Sequence, residues 1–259
     1  MKHSEYRHAL IFFIIGVILF LLFTTLSFCM LSATACSSLE LLDAHIAFPY
    51  ILPIPVITTA LFFTYLGNSQ IIIALALVAV IWLWIVRERY VVALFSVSLL
   101  LGGVSSTVFK NIFLRDRPAE LFYNLPRWGS AFPSGHALMA TVFYGFIGYC
   151  CFEIAKNRFH RVLIAIGTVL LIFLIGFSRI ILGVHWFSDV VGGWLLGTLF
   201  LACMISLYKI GHVKWHKKDF PHGLMLLGML GLVALIGFWV VFFYVTHPVG
   251  IRSTITLNQ

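Results

Sequence analysis

The chain has 259 residues, 61% of them hydrophobic and 10% charged, with a net charge of +8 and a pI near 9.4. Soluble domains carry about 45–50% apolar and about 25% charged residues, so a single water-facing globule is excluded and lipid must solvate much of the surface. The basic residues stand in short clusters between apolar runs, which is a membrane-topology pattern and not a nucleic-acid-binding face, so no nucleic acid partner is expected.

Lys2 and Arg7 precede an apolar run from Leu10 to Leu31. Ala33-Thr34-Ala35 resembles a signal-peptidase site, but the run exceeds the usual signal core of about 7–15 residues. An uncleaved first span over 9–31 is therefore expected. The five cysteines read chiefly as small apolar fillers in helices. Cys29 and Cys36, both near the outer end of that span, leave a disulfide as the alternative. Residues 32–50 read as an outer loop of no assigned structure. The run 51–66 has Pro53 and Pro55 at its start and Gly67-Asn68 at its end, which suggests a short helix lying at the interface. Further spans follow at 69–86, 91–112, 136–155, 162–182, 187–207 and 222–245, each near the roughly 20 residues that cross the hydrocarbon. Residues 246–259 form a polar outer tail. The fold class expected is thus an all-α polytopic bundle of seven spans.

With the N-terminus inside, eleven of the seventeen basic residues fall in inner segments: Lys2, Arg7, Arg87, Arg89, Lys156, Arg158, Arg161, Lys209, Lys214, Lys217 and Lys218. That bias fits the positive-inside rule, and a crossing by 51–66 would spoil it. The six exceptions are Lys110, Arg115, Arg117, Arg127, Arg179 and Arg252. Five of them lie in two short polar regions, 110–134 and 178–189, where function is the reason to keep them.

Three clusters in these regions carry chemistry. Lys110 and Arg117 are seven apart, close to two helical turns, and share a face if the helix continues to Pro118. Snorkelling towards water is the rival reading of that pair. Pro133-Ser134-Gly135-His136 directly precedes a span. Ser134 can cap it, Gly135 admits a close ligand, and the first backbone N–H groups suit an anion. His136 stands where it can give a proton to a leaving oxygen. Ser178-Arg179, His185 and Asp189 link the next two spans. If the second of these begins near Gly183, His185 and Asp189 lie on one face, and the carboxylate can orient and charge-balance the imidazole. All three clusters map to the outer face. Three cations beside two histidines and an aspartate welcome phosphate and repel a divalent metal, so neither metal nor cofactor is expected.

These motifs, Lys110-(six residues)-Arg117-Pro118, Pro133-Ser134-Gly135-His136 and Ser178-Arg179-(five residues)-His185-(three residues)-Asp189, resemble in order and spacing those of the type 2 phosphatidic acid phosphatase (PAP2) superfamily. The resemblance is firm over about 90–210, and the stretch from Leu42-Asp43 to Gly67 is similar to the early part of bacterial lipid phosphatases. It implies that His185 attacks phosphorus to form a phosphohistidine, with Asp189 as its partner and His136 protonating the leaving oxygen. It also implies that Lys110, Arg117, Ser134, Gly135 and Arg179 hold the phosphate. The implied architecture is a six-helix core over 1–210, followed over 211–259 by a basic inner loop, an additional span and an outer tail. The implied location is a bacterial plasma membrane, with the site facing the periplasm or exterior and a lipid phosphate arriving from the outer leaflet. Phosphatidylglycerol phosphate, phosphatidic acid and undecaprenyl diphosphate are the substrates implied. A lipid A phosphatase or lipid phosphotransferase on the same site is the alternative, and a non-enzymatic transporter the rival class.

Overall fold

The structure is a computed structural model that describes residues 2–31, 37–46, 52–118 and 129–215. It contains α1 (Lys2–Leu31), α2 (Ser37–Ile46), α3 (Ile54–Leu66), α4 (Ser69–Ile85), α5 (Arg89–Phe113), α6 (Gly135–Ile154), α7 (Arg158–Ile181) and α8 (Phe187–Trp215). The described residues contain no strand. Five helices, α1, α5, α6, α7 and α8, are long and apolar enough to cross a membrane, and α3 with α4 passes the same test only as a pair bent by 44°. The all-α polytopic bundle is as expected. The span expected at 222–245 and the outer tail lie outside the described residues.

Three readings of the N-terminal third change. Residues expected to be an unassigned loop hold α2, whose Asp43 is buried. The run 51–66 does not simply rest at the interface. Its α3 packs against α7 with Ala60, Thr64 and Leu66 buried, and continues through Gly67 into α4. A Cβ on Gly67 would lie 2.5 Å from Ile175 Cγ2 and 3.0 Å from His136 Cδ2, so only glycine lets this corner close on α6 and α7. The Tyr144 hydroxyl donates to the Leu66 carbonyl at 2.9 Å and secures the same corner. Cys29 is in a disulfide, whereas Cys150, Cys151 and Cys203 are free, so the filler reading fails for Cys29.

Lipid offers little hydrophobic drive between helices, so close backbone approach through small residues must supply the packing. Gly193 and Gly197, one turn apart on α8, do so against α6. A Cβ on Gly193 would meet the Ser134 carbonyl at 2.5 Å, and one on Gly197 the Leu138 carbonyl at 2.8 Å. The obstacle is backbone, which cannot rotate away. Gly193→Val is expected to cost about 1–3 kcal/mol of stability, read as a lower melting temperature in detergent. Gly103→Ala, where a Cβ meets nothing within 4 Å, serves as the control. Equal melting of the two variants would refute this packing.

The two ends of the bundle differ in kind. At one end the Tyr90 hydroxyl donates to the Leu207 carbonyl at 2.7 Å, and Lys209 pairs with Glu153 at 3.1 Å. These are residues assigned from sequence to inner segments or next to them. A largely apolar cavity of about 850 Å³ between α1, α6, α7 and α8 reaches that end, lined in part by His8, Arg161 and Lys209. The three motifs gather at the opposite end.

Candidate active site

The site is assembled by three chain reversals. The first follows α5, which ends at Phe113 and is capped by Leu114 in the left-handed region (φ 46°). Arg117 therefore does not share a helical face with Lys110, because the helix stops before reaching it. It comes from an extended segment, its Nε donating to the Gly129 carbonyl at 3.2 Å and its Nη1 to the Val184 carbonyl at 2.9 Å. Lys110 remains on the last turn of α5. A Cβ built on Gly135 would be 3.9 Å from its Nζ, so the ammonium lies beside the start of α6.

The second reversal is the segment entering α6. Phe132 is fully buried, stacked with Phe23 of α1 (6.0 Å between centroids) and edge-on to Phe113 (4.9 Å). That anchor sets Ser134 at the helix start, where its N–H donates to the Asp189 carbonyl at 2.9 Å. Ser134 occupies the N-cap position with extended backbone, yet its side chain makes no capping bond, contrary to the capping role read from sequence. Its Oγ is buried without a partner. The leading N–H groups of α6, which no carbonyl of the helix can satisfy, stand beside it. His136 lies on the first turn, wedged by Gly67.

The third reversal joins α7 to α8. Gly183 at φ 62° turns the chain so that the Val184 N–H returns to the Arg179 carbonyl at 3.1 Å. Helix α8 begins at Phe187, not near Gly183, so the His185–Asp189 contact is not a helical-face pair. Instead, Asp189 Oδ2 reaches back to the turn, accepting the Trp186 N–H at 2.9 Å and approaching His185 Nδ1 at 3.3 Å. On the other side of the ring, Arg117 Nη1 is 3.4 Å from Nε2. A guanidinium can only donate, so this arrangement favours the tautomer with the proton on Nδ1, facing Asp189, and a lone pair on Nε2. His185 is 3% exposed. Burial, followed by the charges of Arg179, Arg117 and Lys110, holds the ring's pKa well below the ordinary 6.5, against the opposing pull of a backbone hydrogen bond with Ala131.

Arg179 on the last turn of α7 is 7% exposed. Its Nη1 donates to Thr64 Oγ1 of α3, and its Nε is buried with no partner. An unpaired buried N–H on a guanidinium is costly, and so is a lone buried hydroxyl. Arg179 Nε and Ser134 Oγ both belong to motifs at this end, and an oxyanion would satisfy each. The structure thus brings Lys110, Arg117, Ser134, Gly135, His136, Arg179, His185 and Asp189 to one end of the bundle. Among the described residues, no group of three or more His, Cys, Asp or Glu is placed to hold a metal ion.

Sequence reasoning passed over three participants. Arg115 was read only as an outer cation, and Ser188 and Thr64 not at all. Arg115 Nη1 donates to Asp189 Oδ1 at 2.6 Å and its Nη2 to Asp43 Oδ2 at 2.7 Å. Ser188 ties its N–H and hydroxyl to Asp43. The available signal was the breach of the positive-inside rule by Arg115.

A helical bundle that collects basic side chains and a turn-held imidazole at one end of its apolar spans fits the class of integral-membrane phosphatases. Comparison with known proteins gives the same class: the family model described as the PAP2 superfamily matches residues 91–211, from α5 into α8. Over that stretch the chain is similar to the PAP2 superfamily. It is 29% identical over 160 residues to YbjG of Escherichia coli (strain K12), a candidate undecaprenyl-diphosphatase, spanning 59% of this chain and 76% of that protein. It is 30% identical over 122 residues to an undecaprenyl-diphosphatase of Sulfolobus acidocaldarius, covering 46% of this chain and about half (54%) of the relative. Its fold is similar to the crystal structure of a transmembrane PAP2-type phosphatidylglycerolphosphate phosphatase from Bacillus subtilis. That similarity has a TM-score of 0.62 and 24% identity, covering 79% of this chain and 98% of that one.

Proposed function

We propose that this chain hydrolyses a lipid phosphomonoester or diphosphate at the outer membrane face through a phosphohistidine on His185. The carrying observation is the clamping of His185 from both sides, Nδ1 by Asp189 and Nε2 by Arg117, beside two buried unpartnered donors. In the first step His185 Nε2 attacks phosphorus as the bond to the leaving oxygen breaks, and His136 gives that oxygen a proton. The Nδ1 proton is stabilised by Asp189 as the ring becomes cationic. In the second step water attacks phosphorus, its proton passes to His136, and the P–N bond breaks to release phosphate and restore His185. Lys110, Arg117, Arg179, Ser134 and the amides at Gly135 hold the non-bridging oxygens through both steps.

Undecaprenyl diphosphate and phosphatidylglycerol phosphate, from the names of similar proteins, and phosphatidic acid, from the motif resemblance, are the substrate classes favoured. A bacterial plasma membrane, with the site on the periplasmic or external side, accords with the distribution of basic residues. It also accords with the disulfide at Cys29, since disulfides persist in oxidising compartments. The lipid enters sideways from the outer leaflet, its tails staying in hydrocarbon, because withdrawing them costs about 0.8 kcal/mol per CH₂. Helix α3, apolar and bonded to Arg179 through Thr64, stands beside that entrance.

The test is phosphate release from a panel of phosphatidylglycerol phosphate, phosphatidic acid, undecaprenyl diphosphate and lipid A in mixed micelles. Turnover of at least one of the first three, unaffected by EDTA and inhibited by vanadate, is expected. Within one class, efficiency should rise steeply with chain length. Equal efficiency for a short soluble ester and its long-chain analogue would remove lateral entry, and restoration of EDTA-treated enzyme by zinc or magnesium would remove the metal-free mechanism.

A further inference from the structure

We infer that the buried Asp43 of α2 and the partly buried Arg115 form a pair of counter-charges that sets the proton affinity of His185 through Asp189. The inference rests on the reading of His185 as nucleophile and goes beyond it by assigning two positioning residues. Arg115 is the only group reaching Asp189 Oδ1 among the hydrogen bonds of the described residues, at 2.6 Å, while Oδ2 serves Trp186 and His185. The same guanidinium donates to Ser188 Oγ at 2.7 Å and to Asp43 Oδ2 at 2.7 Å, and lies over the Trp186 ring at 5.8 Å. Asp43 closes the circuit by accepting the Ser188 N–H at 2.9 Å and the Ser188 hydroxyl at 2.5 Å. Asp43 is 3% exposed and Asp189 is fully buried.

Two carboxylates therefore share one guanidinium, and the trio carries one net negative charge. With Arg115 alone, the carboxylate of Asp189 would be largely neutralised and would support a cationic imidazole less. Asp43 draws part of the guanidinium charge away and leaves Asp189 effective towards His185. Burial keeps these interactions little screened by salt or solvent. The other groups around His185 are Lys110 of α5, Arg117 after it, His136 of α6 and Arg179 of α7; Asp116 enters through its carbonyl, bonded to Trp186 Nε1. Helix α3 brings Thr64 and no charged group, and α2 otherwise carries only Glu40 and His45. Among the described residues, Asp43 is thus the acid outside the three motifs that is wired to the nucleophile by hydrogen bonds.

The experiment measures kcat/KM against pH for the full chain in detergent, using short-chain phosphatidic acid. It compares Asp43→Asn, Arg115→Gln, Arg115→Lys and the double variant Asp43→Asn/Arg115→Gln. The ionisation of the substrate is common to all, so differences in the acid limb report the free enzyme. Removing the negative charge of Asp43 should move the acid limb to lower pH. Removing the positive charge of Arg115 should move it to higher pH, and the double variant should return it towards wild type. Arg115→Gln should also lose roughly 10²-fold in kcat with little change in KM, since Asp189 loses its anchor. Arg115→Lys should keep the limb and recover part of that loss. A structural role alone would not produce shifts of opposite sign that cancel. If Asp43→Asn does not accumulate as folded protein, Asp43→Ser takes its place, keeping an acceptor for the Ser188 N–H. Shifts of the same sign, or acid limbs that coincide with wild type in variants with a wild-type melting profile, would overturn the inference. A wild-type chain that releases no phosphate and forms no phosphoenzyme overturns the phosphatase reading first, and this one with it.

Discussion

His185→Ala is expected to lower phosphate release by roughly 10⁴-fold or more, the scale on which loss of an activated nucleophile acts. The ring is buried and held from both sides. Wild-type enzyme mixed briefly with ³²P-labelled lipid and quenched should hold an acid-labile, base-stable label on the protein, and the variant should hold none. The pH profile gives a second reading. A nucleophile must be unprotonated, and burial with Arg179, Arg117 and Lys110 lowers the pKa of this imidazole. As pH falls, His185 therefore stays neutral past the point where an ordinary histidine would gain its proton. The acid limb of kcat/KM should lie below 6.5, the ordinary histidine value. A folded His185→Ala variant with near wild-type turnover would falsify the assignment.

The second large effect concerns the leaving group. If His136 protonates the departing oxygen, His136→Asn should lower turnover of an alkyl phosphate ester by roughly 10²–10⁴-fold. A p-nitrophenyl ester needs little protonation on departure, so its first step should be almost spared. Its phosphoenzyme should then accumulate, because the same side chain is read as the base for the attacking water. The expected signature is a burst of p-nitrophenol followed by a slow phase. His136 is suited to the part by its place on the first turn of α6, next to the buried Ser134 hydroxyl and wedged by the Gly67 corner. An equal loss for both esters, without a burst, would assign His136 to binding and not to proton transfer.

Much of this molecule was written in local sequence. Long apolar runs can satisfy their backbone in lipid only as helices, so the positions of α1, α4, α5, α6, α7 and α8 follow from hydropathy, although α1 starts well before residue 9 and α8 runs well past residue 207. That the eight motif residues meet at one end was also legible, because basic groups there contradict hydropathy and, in the topology expected, the positive-inside rule. Spacing did not reveal how they meet. Lys110 and Arg117 were read as one helical face, but the left-handed cap at Leu114 ends the helix between them. His185 and Asp189 were read as a pair along a helix, but the helix begins after His185, and it is the Trp186 amide that draws the carboxylate back to the turn.

What only the tertiary structure decided is the surrounding layer. Thr64 on α3 reaches Arg179 across 115 positions of sequence, and Asp43 on α2 reaches Arg115 across 72. Neither residue stands out alone: a threonine in an apolar helix and an aspartate near an interface are ordinary in sequence. Each acquires meaning when the Gly67 corner brings α3 onto α7, and when the buried Asp43 meets the partly buried guanidinium of Arg115. Sequence by itself thus determined the helical spans among the described residues and the list of motif residues that meet at one end, because transfer to lipid is a local property of each segment. The direction of each reactive group and the counter-charges behind it were settled by packing, because hydrogen bonds in a low-dielectric interior depend on distances that no sequence spacing fixes.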